Sequence, residues 1–229
     1  MSPTPVPDSA LDPAGATTRV RARNGRRVLA AVREHVAVDG IDDASMRELA
    51  VAADVSVRTL YNLFDDRTGL VRALVLDFIA DINLAVGDLE ATTSVARLWE
   101  ATELAMGAVA TSLPRSVLAS ALDDPELLVQ LSQRWDVRDV LVGEIRRAQE
   151  AGELHDDLDA NRLVDQVGMA MLNLLRGWAA DLIDDDALVA GTLHALDICL
   201  LAIAPPDQRD RLRDHALALA PRLTRPVPR

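Results

Sequence analysis

Residues 55–64 read Val-Ser-Val-Arg-Thr-Leu-Tyr-Asn-Leu-Phe. At helical spacing Arg58, Tyr61 and Asn62 fall in one arc, and Leu60, Leu63 and Phe64 fall roughly opposite. The first arc offers a planar guanidinium, a phenol and a carboxamide, groups that bind a polar partner through directed hydrogen bonds. The second arc is built for a core. Signatures of other chemistry are missing: there is no Walker A loop, no G-x-G-x-x-G, no G-x-S-x-G and no H-E-x-x-H. His35, His155, His194 and His215 lack ligand spacing, so neither a metal site nor a cofactor is expected, and the chain reads as a non-enzyme.

The elements that must hold this arc follow from capping signals. Asn24 is placed to cap a first helix that runs to about Val38, with Leu29, Val32 and Val36 inward and Gly40 as its stop. Ser45 and Glu48 form an S-x-x-E capping box opening a short helix to about Ala53. Asp54 and Val55 then make a tight connection, and Ser56 caps a third helix over Val57 to about Leu63. A fourth begins near Asp66 and passes Phe78. Two short helices joined by a three- or four-residue turn between longer ones is the layout of a helix-turn-helix module. Asp54 stands where such turns commonly have Gly, and Asp tolerates the left-handed backbone better than most residues. Leu49, Ala53, Val55, Leu60, Phe64, Leu70 and Leu74 read as its core.

Beyond residue 84 the signals stay helical: Ser94–Ser112, Arg115–Leu122, one long helix from Pro125 behind the cap Asp124 to Glu150, a helix from the cap Asp159 to about Ile183, one from the Asp184 triplet to Pro205, and a last from Asp207 to Ala220. The expected fold is all-α. Its units are a disordered tail over 1–18, a helix-turn-helix domain over 19–72 and a helical domain over 73–229.

Charge is divided the same way. The chain carries a net −12, yet residues 19–72 hold ten Arg against eight acids, and 73–229 hold fourteen Arg against twenty-six. The acidic part would repel phosphates, so a nucleic-acid surface belongs in the first segment, and the basic run 19–27 could serve as an arm along phosphates or a minor groove. A hydrophobic content of 49% supports a sizeable core. The single Cys199 excludes an internal disulfide and reads as a buried small hydrophobe in a reducing, cytoplasmic setting. The apolar run 187–205 contains His194 and Asp197, which argues for a buried helix over a membrane span.

Residues 45–70, SMRELAVAADVSVRTLYNLFDDRTGL, resemble the DNA-binding domain of the tetracycline-repressor (TetR) family of bacterial transcriptional regulators. The resemblance rests on Gly40, on Ser45 with Arg47, on V-S-x-x-T-L-Y-x-x-F from Val55 to Phe64, and on Asp66-Arg67 before Leu70. Departures are Asp54 and the Thr68-Gly69 pair. The stretch 145–167 is similar, more weakly, to a connection in the family's C-terminal domains. On this footing the helix 57–63 is a recognition helix whose first turns face the major groove. Val57, Arg58, Thr59 and Asn62 then meet bases or, for Arg58, a base or a phosphate. The resemblance places Tyr61 on a phosphate, with Ser45, Ser56, Arg47 and Arg67 at helix starts positioning the backbone. The apolar helices at about 163–182 and 187–204 are long enough to form half of a homodimer interface, or else an intramolecular core pair, and a two-fold dimer would place two recognition helices on a palindromic DNA operator; the family further implies a small-molecule effector within Ser94–Glu150. Few polar groups stand out there, which suits a lipophilic effector; Trp99, Met106 and Trp135 are lining candidates, with ordinary core the better reading of each. The competing expectation is a protein-interaction module that keeps the helix-turn-helix domain structurally and acts through its acidic domain.

Overall fold

The computed structural model describes residues 24–36, 40–41, 44–91, 93–134 and 136–223; the tail 1–18, the start of the basic run and Trp135 lie outside the described residues. Every regular element among the described residues is a helix. The helices are α1 (24–36), α2 (Met46–Ala52), α3 (Val57–Phe64), α4 (Arg67–Gly87), α5 (Ser94–Ser112), α6 (Arg115–Leu122), α7 (Pro125–Arg134), α8 (Asp136–Glu150), α9 (Ala160–Ala179), α10 (Asp185–Leu201) and α11 (Pro206–Leu219), with a 3-10 turn at Ala220–Arg222. None of them is long and apolar enough to cross a membrane.

Several boundaries follow the capping signals. The Ser45–Glu48 box closes in both directions, and Asp66, Asp159 and Asp184 each accept a backbone N–H at the start of α4, α9 and α10. Asp124 takes the amides of Glu126 and Leu127 at 3.0 and 3.3 Å ahead of Pro125. Gly40 ends the first helix with φ +75° and its N–H on the Val36 carbonyl.

Three expectations are corrected. Asn24 is already helical, so it sits inside α1 and not at its cap. α9 stops at Ala179 instead of near Ile183, because Asp181 turns left-handed (φ 56°) and the amides of Asp181 and Leu182 fold back on the carbonyls of Trp178 and Gly177. α10 stops at Leu201 instead of Pro205: proline disfavours helical geometry in Ala204, and the Ile203 carbonyl is taken by the His155 amide at 2.8 Å.

The core runs through α4. Its buried Leu70, Val71, Leu74, Val75, Phe78, Ile79, Ile82 and Val86 join Val28, Leu29, Val32 and Val36 of α1, and Leu49 and Leu60 of α2 and α3, to residues of α5, α6 and α9 in one continuous cluster. The expected division at residue 72 thus falls inside one unbroken helix. Arg33 of α1 reinforces the joint with carboxylates of α4, at 2.7 Å to Asp77 and 3.1 Å to Asp81. A second cluster packs α8, α9, α10 and α11 together. At Gly191 a Cβ would meet Leu174 Cδ2 at 2.9 Å, so its missing side chain lets α9 and α10 cross closely. α11 is fastened by Asp197 of α10, fully buried, which accepts from Trp99 Nε1 and pairs with His215 Nδ1, both at 2.7 Å. Trp99 is thereby tied to α10 and α11, and its ring lies 4.2 Å from that of His215.

Candidate nucleic-acid interface and cavity

α2 and α3 form the candidate interface, and each starts with a serine held by its own cap. Ser45 Oγ donates to Glu48 Oε2 at 2.7 Å and accepts the Glu48 amide at 3.2 Å, and the Ser45 amide donates to the same carboxylate at 2.8 Å. These bonds from Ser45 hold the Glu48 carboxyl below its ordinary range. Arg47 is exposed beside it. Met46, Leu49 and Ala50 turn inward.

The turn that follows settles why Asp54 can replace glycine. Asp54 adopts φ 52°, the Asp54 amide reaches the Val51 carbonyl at 3.1 Å and the Val55 amide reaches the Ala50 carbonyl at 3.0 Å. That pair of bonds is the Schellman closure, which needs a left-handed residue at this place. Ser56 then accepts the Thr59 amide at 3.0 Å, and the two hydroxyls lie 2.7 Å apart. Thr59 thus has its hydroxyl occupied by the cap.

α3 divides as its spacing predicts. Leu60 is fully buried, Leu63 and Phe64 are half-buried, while Val57, Arg58, Thr59, Tyr61 and Asn62 are exposed, Tyr61 at 46%. Arg67 stands apart from these. It is half-buried, and its guanidinium donates to the Ile41 carbonyl, holding the loop between α1 and α2 against the start of α4.

In the sequence Gly69 is only a departure from the family pattern. In the structure Asp65 (φ 64°, ψ −58°) makes a three-residue turn in which the Asp66 amide donates to the Phe64 carbonyl at 2.8 Å. This swings the Phe64 carbonyl over the first turn of α4, where a Cβ on Gly69 would lie 2.0 Å from its oxygen. The Gly69 amide is fixed by Asp66 Oδ1 at 2.7 Å. Only glycine fits this approach without backbone movement.

From that contact α4 leads to a cavity of about 410 Å³. Val75, Phe78 and Ile79 of α4 form one wall; α5, α6, α8, α9 and Thr192 of α10 form the others. Of the lining candidates among the described residues, Met106 lines it and Trp99 does not. The lining is almost wholly apolar, its polar side chains being Thr102, Thr192, Arg138 and Asp165. Arg138 and Asp165 pair at 2.7 Å and are partly exposed, which puts them at the rim. Beside the cavity, Arg72 of α4 binds Asp124 at 2.8 Å and Glu126 at 3.0 Å, joining α4 to the start of α7. Burial pushes the Asp124 carboxyl up, but the Arg72 hydrogen bond and the amides of Leu127 and Glu126 outweigh it and hold the group below its usual range.

Residues 28–74 match the model of bacterial regulatory proteins, tetR family. No curated protein matches the chain by sequence. Among solved structures, the chain is similar to FadR of Thermus thermophilus, a TetR-family transcriptional repressor solved with lauroyl-CoA (18% identity, TM-score 0.61, covering 77% of this chain and 93% of that one). It is similar too to SmeT, the repressor of the Stenotrophomonas maltophilia multidrug efflux pump SmeDEF (20%, 0.59, 80% and 91%). A third is TylP, a TetR regulator from Streptomyces fradiae (15%, 0.58, 89% and 99%).

Proposed function

We propose that this chain, whose residues 28–74 match the model of bacterial regulatory proteins, tetR family, is a homodimeric TetR-family repressor that holds a palindromic operator and releases it when a small molecule enters the cavity. The observation that carries the reading is the exposed face of α3, where Val57, Arg58, Thr59, Tyr61 and Asn62 stand out from a helix anchored by buried Leu60. Arg58 is matched to guanine O6 and N7 and Asn62 to adenine N6 and N7. Val57 and the Thr59 methyl suit a thymine methyl, the Thr59 hydroxyl being held in the cap. Tyr61 and Arg47 are assigned to phosphates. Ser45 and Ser56 act by fixing the helix starts, and Arg67 by holding the Ile41 loop.

A single recognition helix covers too little DNA for operator specificity, and a two-fold dimer sets two of them one helical turn apart. α9 and α10 are proposed to supply that interface. Met169 on α9, Leu182 in the connecting turn and Ile198 on α10 are 68%, 70% and 52% exposed, apolar side chains that a second copy would cover. α4 couples the two functions, since one helix both underlies α3 and walls the cavity. A ligand that fits only one setting of α4 shifts the population towards it. Such a protein works in the cytoplasm.

In vitro selection from random duplex DNA tests the proposal. It should enrich an inverted repeat with half-sites about 10 bp apart, centre to centre, or a multiple of that. Enrichment of no sequence, beside a stable complex with another protein, would replace it with the interaction-module reading.

A further inference from the structure

The chemistry of the cavity wall restricts what can enter. Thr102 is buried and its hydroxyl donates to the Leu98 carbonyl at 2.8 Å; Thr192 is buried and its hydroxyl donates to the Leu188 carbonyl at 3.0 Å. A hydroxyl has one proton, so both oxygens can accept a further hydrogen bond but can donate one only by giving up the bond they hold. The walls are helices, whose backbone N–H groups are engaged in their own ladders. The buried lining therefore presents acceptors and hydrocarbon. At the rim, the Arg138 guanidinium faces Asp165 at 2.7 Å and Asn161 Oδ1 at 3.5 Å, so its charge is already balanced. A carboxylate pushed inside would leave water for a space with no donor to meet it, and one halted at the rim would face Asp165.

We infer that the cavity selects an uncharged, largely hydrocarbon molecule whose buried end carries a hydrogen-bond donor such as a hydroxyl, and rejects the corresponding carboxylate. The donor goes to Thr102 or Thr192, and the rim ion pair stays closed over the chain. The inference rests on the reading of the cavity as the effector site and adds the chemical class of the effector. Gly168 of α9 supplies an independent handle: it lines the cavity, and a Cβ built on it meets nothing within 4 Å, so larger side chains there extend into open space.

Calorimetry on the full chain without DNA tests it with three probes of equal chain length: decanol, the matching methyl ketone and decanoate at neutral pH. Decanol should bind about tenfold tighter than decanoate, a difference of about 1.4 kcal/mol, with the ketone between them. Thr102→Val combined with Thr192→Val should remove the preference of the alcohol over the ketone, about a three- to tenfold effect, and leave ketone binding in place as evidence of an intact fold. Gly168→Leu should abolish binding of all three while keeping the helical content. The proposal is overturned if decanoate binds as tightly as decanol, if the alcohol preference survives in the double valine variant, or if none of the three binds. Adding decanol to the protein–DNA complex is a separate readout. Calorimetric binding without release of DNA would leave the ligand class standing and remove the effector role.

Discussion

A methyl group at Gly69 would sit 2.0 Å from the Phe64 carbonyl oxygen, and the atom it meets is backbone at the end of α3, which no rotamer change can move. Gly69→Ala should therefore displace α3 from α4 and lower the unfolding free energy by about 1–3 kcal/mol, as overpacking does in well-packed sites. The same change in the middle of an open helix would raise stability by about 1 kcal/mol, so the sign of the effect in urea unfolding decides between strain and simple propensity. A variant as stable as the parent or more so would contradict the geometry. The residue type was plain in the sequence and its reason was not. Gly69 breaks the resemblance where an acidic residue is common, but only the folded turn at Asp65 brings the Phe64 carbonyl above it. Arg67 teaches the converse. Its place at a helix start suits a phosphate, and the folded Ile41 loop claims it for an internal bond.

α4 is the element on which the two halves of the molecule meet, and its side contacts are ion pairs as well as packing. Arg72–Asp124 ties it to α7, and Arg33 ties α1 to it through Asp77 and Asp81. Asp124 and Asp77 are shifted in opposite directions. Asp124 is held below its usual range in the folded chain, so the stability it contributes is present above the ordinary aspartate value of about 3.9 and is lost as pH falls towards the depressed folded value. Asp77 is pushed up, first by its burial and against the pull of Arg33, so its ionised form costs stability that returns as pH falls. Arg72→Met leaves Asp124 without its main partner and should lower stability at neutral pH while flattening the loss between about pH 5 and 3. Urea unfolding across that range measures it, and parallel curves for the two proteins would show that Arg72 does not set the Asp124 titration. Most elements were legible from the sequence because caps and stops are local: Ser45 with Glu48, Asp66, Asp159 and Asp184 all sit where they were read. The ends of α9 and α10 were not, since Asp181 looks no different from its neighbours until the chain turns at it, and the Ile203 carbonyl is claimed from a distant loop.

Across the whole molecule, acidic charge is kept away from the segment that carries α3. Residues 73–229 hold an excess of twelve acids, whereas 19–72 are slightly basic, a division consistent with the proposed placing of phosphate contacts in the first segment. The exposed face of α3 was readable because helical spacing sorts Arg58, Tyr61 and Asn62 from Leu60 within eight residues. The cavity was not, because its walls come from six helices and its leucines and valines are the types any core uses; a vacancy between them has no periodicity. Trp99 packs against the core, held by Asp197 and His215, and does not line the space. Binding through that face should follow the salt law for phosphate contacts, with affinity falling linearly on logarithmic axes as salt rises. The most direct measurement is a fluorescence anisotropy titration of the selected inverted repeat with the parent protein and with Arg58→Ala combined with Tyr61→Ala. Salt-sensitive binding by the parent and loss of specific binding by the variant, at unchanged helical content, are expected; equal affinity for both proteins would overturn the assignment of this face to DNA.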